Sequence, residues 1–243
     1  MNTTSTEIPI AITHLSKHYD ALVALRDVSL SLQRQEIFGL IGLNGAGKTT
    51  LIKALLQLTS ATSGEIQLFG IAGEEVRARR NLSYLPEKFQ PSKYLTGYEY
   101  LALCVSYYQL KLDKNAAQEI AQALDFPIEK LSHKIASYSK GTAQKLGLIG
   151  AFLVNRPLLV LDEPMSGLDP MARIRLKQKM QSYRDAGNTL FFSSHILSDM
   201  DEICDRVAIL HQGELRYLGT PQAFKQQYPE ATLEASFLQA IAA

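Results

Sequence analysis

The chain reads as an α/β protein with a mixed-sheet core, an antiparallel β element near its start and a helical insert in its middle. Three observations predict this. The short unbroken apolar runs at 36–41 and 158–161 have the texture of strands covered on both faces. Alternating segments precede the first of them, and residues 86–154 change to helical periodicity before the strand pattern returns. At 243 residues, the length corresponds to about 1.6 average domains, or one core with a small appended subdomain.

The composition excludes several classes. A content of 46% hydrophobic and 20% charged residues is not that of a disordered chain, a collagen-like repeat or a disulfide-stapled miniprotein. Lys+Arg 25 against Asp+Glu 24 leaves a net charge of +1, so no broad basic field points to nucleic acid, and none is expected as a partner. Cys104 and Cys204 lie far apart and near no histidine pair with metal-ligand spacing, which fits a reducing compartment and implies no zinc site. MNTTSTEIPIAI lacks a basic segment followed by an apolar stretch, and apolar runs such as 146–154 fall short of the roughly 18 residues of a membrane span. A soluble cytoplasmic chain is expected, reaching a membrane only through a partner.

The elements follow in order. Residues 8–15 and 23–32 alternate as strands, the second turning Val28, Leu30 and Leu32 to one face and Asp27, Ser29 and Ser31 to the other. The strand 36–41 leads into a glycine-rich turn and a helix running through Leu58. Strands are expected at 64–69 and 82–85, with the basic segment 76–80 between them as a solvated helix face. Thr96 and Glu99 have capping-box spacing and start a helix through Leu110; a second helix covers 114–124, and a third covers 139–154 with Gly147 and Gly150 as points of close packing. The strand 158–161 precedes a helix capped by Asp169, with Pro170 in its first turn and its end near Gly187. Strands follow at 189–193, 206–211 and 214–218, the last two joined at Gln212 and Gly213, and Thr220 and Pro221 open a tail helix.

Residues Gly42-Leu43-Asn44-Gly45-Ala46-Gly47-Lys48-Thr49, followed by Thr50, fit the phosphate-loop pattern G-x-x-x-x-G-K-[ST] between a strand and a helix. Backbone N–H groups of such a loop wrap phosphates, and the helix presents its positive end to them. On this reading Lys48 neutralises the outer phosphates and the Thr49 hydroxyl binds Mg²⁺. The apolar strand at 158–161 ends in Asp162 and Glu163, and ligands of parallel sheets gather at the carboxyl ends of strands. Asp162 would complete the Mg²⁺ shell, and Glu163 could direct a water in line with the γ-phosphate.

With these residues in place, the chain resembles the nucleotide-binding subunits of ATP-binding cassette (ABC) transporters over nearly its whole length. Tyr138-Ser139-Lys140-Gly141-Thr142 is similar to the signature motif LSGGQ, Ser166-Gly167-Leu168-Asp169 to the D-loop, and His195 follows a strand where the family's switch histidine sits. Tyr19 falls where the family has an aromatic residue that stacks on adenine. Two motifs depart from the pattern: Glu87 stands where the Q-loop has glutamine, and the signature has Lys140 for its first glycine and Thr142 for its glutamine, while Ser139 and Gly141 are present.

The resemblance implies a P-loop NTPase (RecA-like) core of residues 1–85 and 155–220, a helical subdomain 86–154 carrying the signature, and a tail helix in 221–243. It implies ATP and Mg²⁺ as ligands, Glu163, His195 and Lys48 as catalytic groups, and Glu87 at the metal or its water. It further implies Asp169 among the nucleotide-binding residues, a second copy of the chain whose Ser139 and Gly141 close over the nucleotide bound by the first, and an integral membrane permease that holds the pair on the inner face of the membrane. Both departures are similar to the exporter branch, in which a stand-alone ATPase pairs with a separate permease. An ABC-type ATPase acting on ribosomes or DNA is the alternative, although such chains usually carry two cassettes or a long coiled-coil insert. A nucleotide switch or small-molecule kinase would leave 138–142 unexplained, and the guanine-specifying N-K-x-D is absent.

Overall fold

The computed structural model describes residues 8–230 and 232–242. Residues 1–7 of the N-terminal segment, and Ala231 and Ala243 of the tail, lie outside the described residues. The chain folds as two compact units: one holds the described residues up to Asn81 and those from Thr189 onward, the other is Leu82–Asn188.

The first unit contains two sheets. In one, β1 (Ile10–Tyr19), β2 (Leu22–Ser31), β4 (Ser63–Leu68) and β5 (Ile71–Ala72) run antiparallel in the order β2-β1-β4-β5. Val28, Leu30 and Leu32 are buried as their alternation predicts. The β1–β2 register shifts between Ile12 and His18, where His14 and, across from it, Asp27 take left-handed backbone conformations and their side chains pair at 2.7 Å. In the other sheet, β3 (Ile37–Ile41) lies between β8 (Thr189–Ser194) and β9 (Arg206–His211), parallel to both, and β10 (Glu214–Gly219) pairs antiparallel with β9. Every residue of β3 and β8 is buried, and register partners Phe38 and Phe191 stack at 5.8 Å. A buried Phe side chain contributes about 2–3 kcal/mol, so this pair is one substantial part of the burial that holds β3 and β8 together.

Helix α1 (Lys48–Leu55) stops short of the expected Leu58. The segment 76–81 is a short 3-10 helix, with Val76 77% exposed and Ala78 buried. Helix α6 (Leu197–Ile203), which the sequence pattern does not announce, packs against β3 where Gly39 leaves room: a Cβ there would lie 2.8 Å from Cys204 Sγ. The tail forms α7 (Pro221–Gln227), capped by Thr220, and α8 (Leu233–Ala242), both packed near α6.

In the second unit, β6 (Leu82–Leu85) and β7 (Leu158–Asp162) pair in parallel. The Thr96–Glu99 capping box starts α2 (Gly97–Ser106), which ends earlier than Leu110; α3 is Lys114–Ala123, α4 is Lys140–Leu153 and α5 is Pro170–Asp185. Gly147 and Gly150 are the expected close contacts: a Cβ at Gly147 would lie 2.8 Å from Leu85 Cδ1, and one at Gly150 3.2 Å from Cys104 Sγ. Among the described residues no helix is long and apolar enough to cross a membrane.

Candidate functional site

In the first unit, the functional residues gather at the carboxyl end of β3. Ile41 and Ser194 are register partners in parallel strands, so Gly42 and His195 leave from the same end of neighbours about 5 Å apart. The loop 42–47 is held from three sides. Ala46 N–H donates to Leu43 O at 3.1 Å, Gly213 N–H donates to Ala46 O at 3.0 Å, and Gly47, at φ +109°, approaches Ala24 so closely that a Cβ would lie 2.6 Å from its carbonyl oxygen. Gly45, at φ +82°, faces open space: a Cβ there would meet no atom within 4 Å. Asn44 and Gly45 are exposed at the loop tip, while Lys48, only 7% exposed, begins α1 and donates from Nζ to Gly42 O at 2.7 Å. An ammonium folded across its own loop, beside open space at the loop tip and at the positive end of a helix, is an arrangement suited to phosphate. Thr49 and Thr50 follow in the first turn of α1.

Tyr19 is the last residue of β1 rather than part of the loop after it, because β1 and β2 pair as far as Tyr19 and Leu22. Its ring is 41% exposed, with Lys17 Nζ 4.6 Å from the ring centre, and its hydroxyl donates to Thr59 at 3.4 Å. His195 is exposed between β8 and α6.

In the second unit, the pairing of Leu85 with Leu161 brings Glu87 and the Asp162-Glu163 pair out at the same end of adjacent strands. Asp162 is 1% exposed and Glu163 8%. Tyr84 lies among them: burial first, then the Asp162 and Glu87 charges, push its phenol up to about 12. Glu163 has φ +49°, and its carbonyl closes a turn with Ser166 N–H at 3.0 Å. A bulky residue in left-handed backbone costs about 1–3 kcal/mol and marks a position held by its surroundings.

Helix α4 supports that turn. Buried Gln144 donates to Pro164 O at 3.4 Å, and a Cβ at Gly141 would lie 3.2 Å from Gly167 O. Ser139 caps α4, its Oγ accepting from Thr142 N–H at 3.2 Å. Asp169 caps α5, accepting from Ala172 N–H at 2.9 Å; that bond, and then the Lys145 charge, holds its carboxyl below the usual range. A cavity of about 890 Å³ opens between the 87–93 segment and the start of α4. The sequence reading places Gln144 directly after the signature-like stretch without giving it a role, although a polar residue on the buried face of that helix is a signal; Lys88 and Lys93 are marked by nothing periodic.

Among the described residues no group of three or more His, Cys, Asp or Glu side chains could hold a metal ion by itself. In the first unit the Thr49 hydroxyl, and in the second the Asp162 carboxylate, is each a hard oxygen donor. Donors of this kind suit Mg²⁺, which keeps several waters and takes further oxygens from a phosphate ligand.

Comparison with known proteins agrees with this chemistry. The family model described as ABC transporter matches residues 25–166. An uncharacterized ABC transporter ATP-binding protein of Nostoc sp. (strain PCC 7120) is 39% identical over 197 residues, 80% of this chain; the chain spans 59% of that relative's own length. The ABC-type transporter ATP-binding protein EcsA of Bacillus subtilis is 34% identical over 235 residues, 95% of both chains. A solved structure of an ATP-binding subunit of an ABC transporter superposes with a TM-score of 0.86 at 32% identity, covering 96% of this chain and 99% of that one.

Proposed function

As this chain belongs to the ABC transporter family, we propose that it is a transporter's ATP-hydrolysing subunit, working as a pair of identical copies on the inner face of the membrane and driving export through a separate permease. The geometry of the 42–48 loop carries the reading: a buried ammonium folded over a glycine-rich loop with an open tip at a helix start. The names of the relatives support the transporter assignment, and the likeness to the exporter branch supports the direction.

In this reading the N–H groups of Asn44, Gly45, Ala46, Gly47, Thr49 and Thr50, with Lys48 Nζ, hold the phosphates, and Tyr19 packs on the adenine. Lys48 gives up Gly42 O for a phosphate oxygen. Thr49, Asp162 and Glu87 would hold Mg²⁺, which, when bound, offsets the charge on the triphosphate. Glu163 orients the attacking water and accepts its proton, and His195 donates a hydrogen bond toward the γ-phosphate. Ser139 and Gly141 of the second copy, with Asp169 at the shared boundary, complete each site. Closure of the pair then reaches the permease through the segment that begins at Glu87.

The test is Glu163→Gln. It removes the proton acceptor with little change in shape, so hydrolysis should fall by about 10²- to 10⁴-fold while a fluorescent ATP analogue still binds. Lys48→Ala should weaken analogue binding itself. Unchanged turnover of the Glu163 variant in the complex with its permease would refute its role.

A further inference from the structure

Lys17 and Tyr19 stand two residues apart in β1, so their side chains share one face of the strand. On that face Lys17 is only 9% exposed, and its Nζ lies 4.6 Å from the centre of the Tyr19 ring. A cation over a tyrosine face is attracted by the ring's quadrupole, which holds both groups in place. The far end of the ring is held as well. The Tyr19 hydroxyl donates to Thr59 Oγ1, and the segment that carries Thr59 is fixed to β1 by two bonds: Thr62 N–H donates to Ser16 O at 2.8 Å, and Thr62 Oγ1 accepts from His18 N–H at 3.0 Å. Tyr19 still keeps 41% of its surface exposed. The same two strands abut the phosphate loop. Leu25, the register partner of Lys17, and its neighbour Ala24 are the residues that Gly47 approaches: a Cβ there would lie 3.0 Å from Leu25 Cδ2 and 2.6 Å from Ala24 O. Ring and loop are therefore both referred to the β1–β2 pair.

We propose that Lys17 is a positioning residue for the nucleotide base: its ammonium takes one face of the Tyr19 ring and fixes the ring in advance, so that adenine meets a preset opposite face. This inference rests on the reading of Tyr19 as the residue that packs on adenine. An exposed aromatic side chain that is free to turn must be ordered when it binds, and ordering one such side chain weakens binding by about 2- to 12-fold. With Lys17 over it, Tyr19 is ordered on folding instead. The lysine acts on the nucleotide through the ring alone, which separates base from phosphates: binding of a nucleotide depends on Lys17, and binding of phosphates by themselves does not.

The experiment uses the full chain and titrates it calorimetrically, in the presence of Mg²⁺, with ADP and separately with inorganic pyrophosphate, which carries the phosphates without base or ribose. Lys17→Ala, or Lys17→Gln should alanine prevent folding, should raise the ADP dissociation constant by about 2- to 12-fold and leave that of pyrophosphate within about twofold of the parent. Lys17→Arg also places a cation on the ring and should stay within about twofold of the parent for ADP. In a Tyr19→Leu background, with no ring to fix, Lys17→Ala should add less than about twofold. Circular dichroism confirms that each variant is folded. Equal weakening of ADP and pyrophosphate would mean that the ammonium acts on phosphate. That result, unchanged or tighter ADP binding by Lys17→Ala, an arginine no better than alanine, or a full Lys17→Ala effect without the Tyr19 ring overturns the inference and leaves the stacking role of Tyr19 intact. Parental ADP binding by Tyr19→Leu alone overturns that role and the inference with it.

Discussion

Gly45 and Gly47 lie two residues apart in one loop, both with positive φ, and differ only in what surrounds them. Alanine at Gly45 meets the backbone cost alone, because its Cβ would find no atom within 4 Å. Left-handed backbone costs an L-residue about 1–2 kcal/mol. Alanine at Gly47 meets a similar or larger cost at φ +109° and also drives its Cβ to 2.6 Å from Ala24 O, 3.0 Å from Leu25 Cδ2 and 3.1 Å from Leu210 Cδ2. The nearest of these is a backbone oxygen in a paired strand, which cannot swing aside, so overpacking adds about 1–3 kcal/mol. Gly45→Ala should therefore cost about 1–2 kcal/mol, and Gly47→Ala about 2–5 kcal/mol. Thermal unfolding followed by circular dichroism should separate them, at about 2–4 °C per kcal/mol for a chain of this size. Both variants should bind the ATP analogue more weakly, Gly45→Ala because its methyl group occupies the open side of the loop tip and Gly47→Ala because the loop itself shifts. Equal melting points for the two variants, or a lower one for Gly45→Ala, would refute the claim that contact with β2 and β9 fixes the loop.

Two further outcomes follow from titrating groups. The folded-state pKa of Asp169 is depressed, chiefly by the Ala172 N–H, so its stabilising effect is present above the ordinary aspartate value and is lost as the pH falls through the lowered one. The difference in urea midpoint between the wild type and Asp169→Asn should therefore be constant near neutrality and shrink between about pH 5 and pH 2; a difference that grows on acidification would contradict the cap. Burial pushes the Cys204 thiol well up and raises that of Cys104, so little of either is thiolate at neutral pH. Iodoacetamide should label the native protein at least about ten times more slowly than the urea-unfolded chain, and a single fast native thiol would count against these environments.

Helix ends show what the sequence could and could not reveal. The stop of α5 was legible because Gly187 supplies the left-handed residue and Asn188 N–H closes onto Tyr183 O at 3.4 Å. The same closure ends α1, through Leu58 N–H onto Lys53 O at 2.8 Å, and α2, through Leu110 N–H onto Val105 O at 3.1 Å. There the left-handed residues are Gln57 and Gln109, which bear the cost without advertising it, so both helices were read as too long. Helix α6 escaped notice for a related reason. Ile196 is its N-cap and no side chain caps it, so its existence depends on Leu197, Met200 and Ile203 finding a buried face.

The candidate site divides along the same line. Phosphate loops and carboxylate-ended strands are legible because their chemistry demands particular residues at fixed short spacings, and Lys48, Asp162 and Glu163 all fall on such patterns. The cavity shared by Glu87 and Lys140 has no such grammar. Its charged lining comes from Glu87, Lys88 and Lys93 on one segment and Lys140 on another, and only the pairing of β6 with β7 and the packing of α4 on β6 bring those segments together. No short fixed spacing links those charges, so each alone reads as an unremarkable surface residue. Reading such a lining from sequence would require the contact map first.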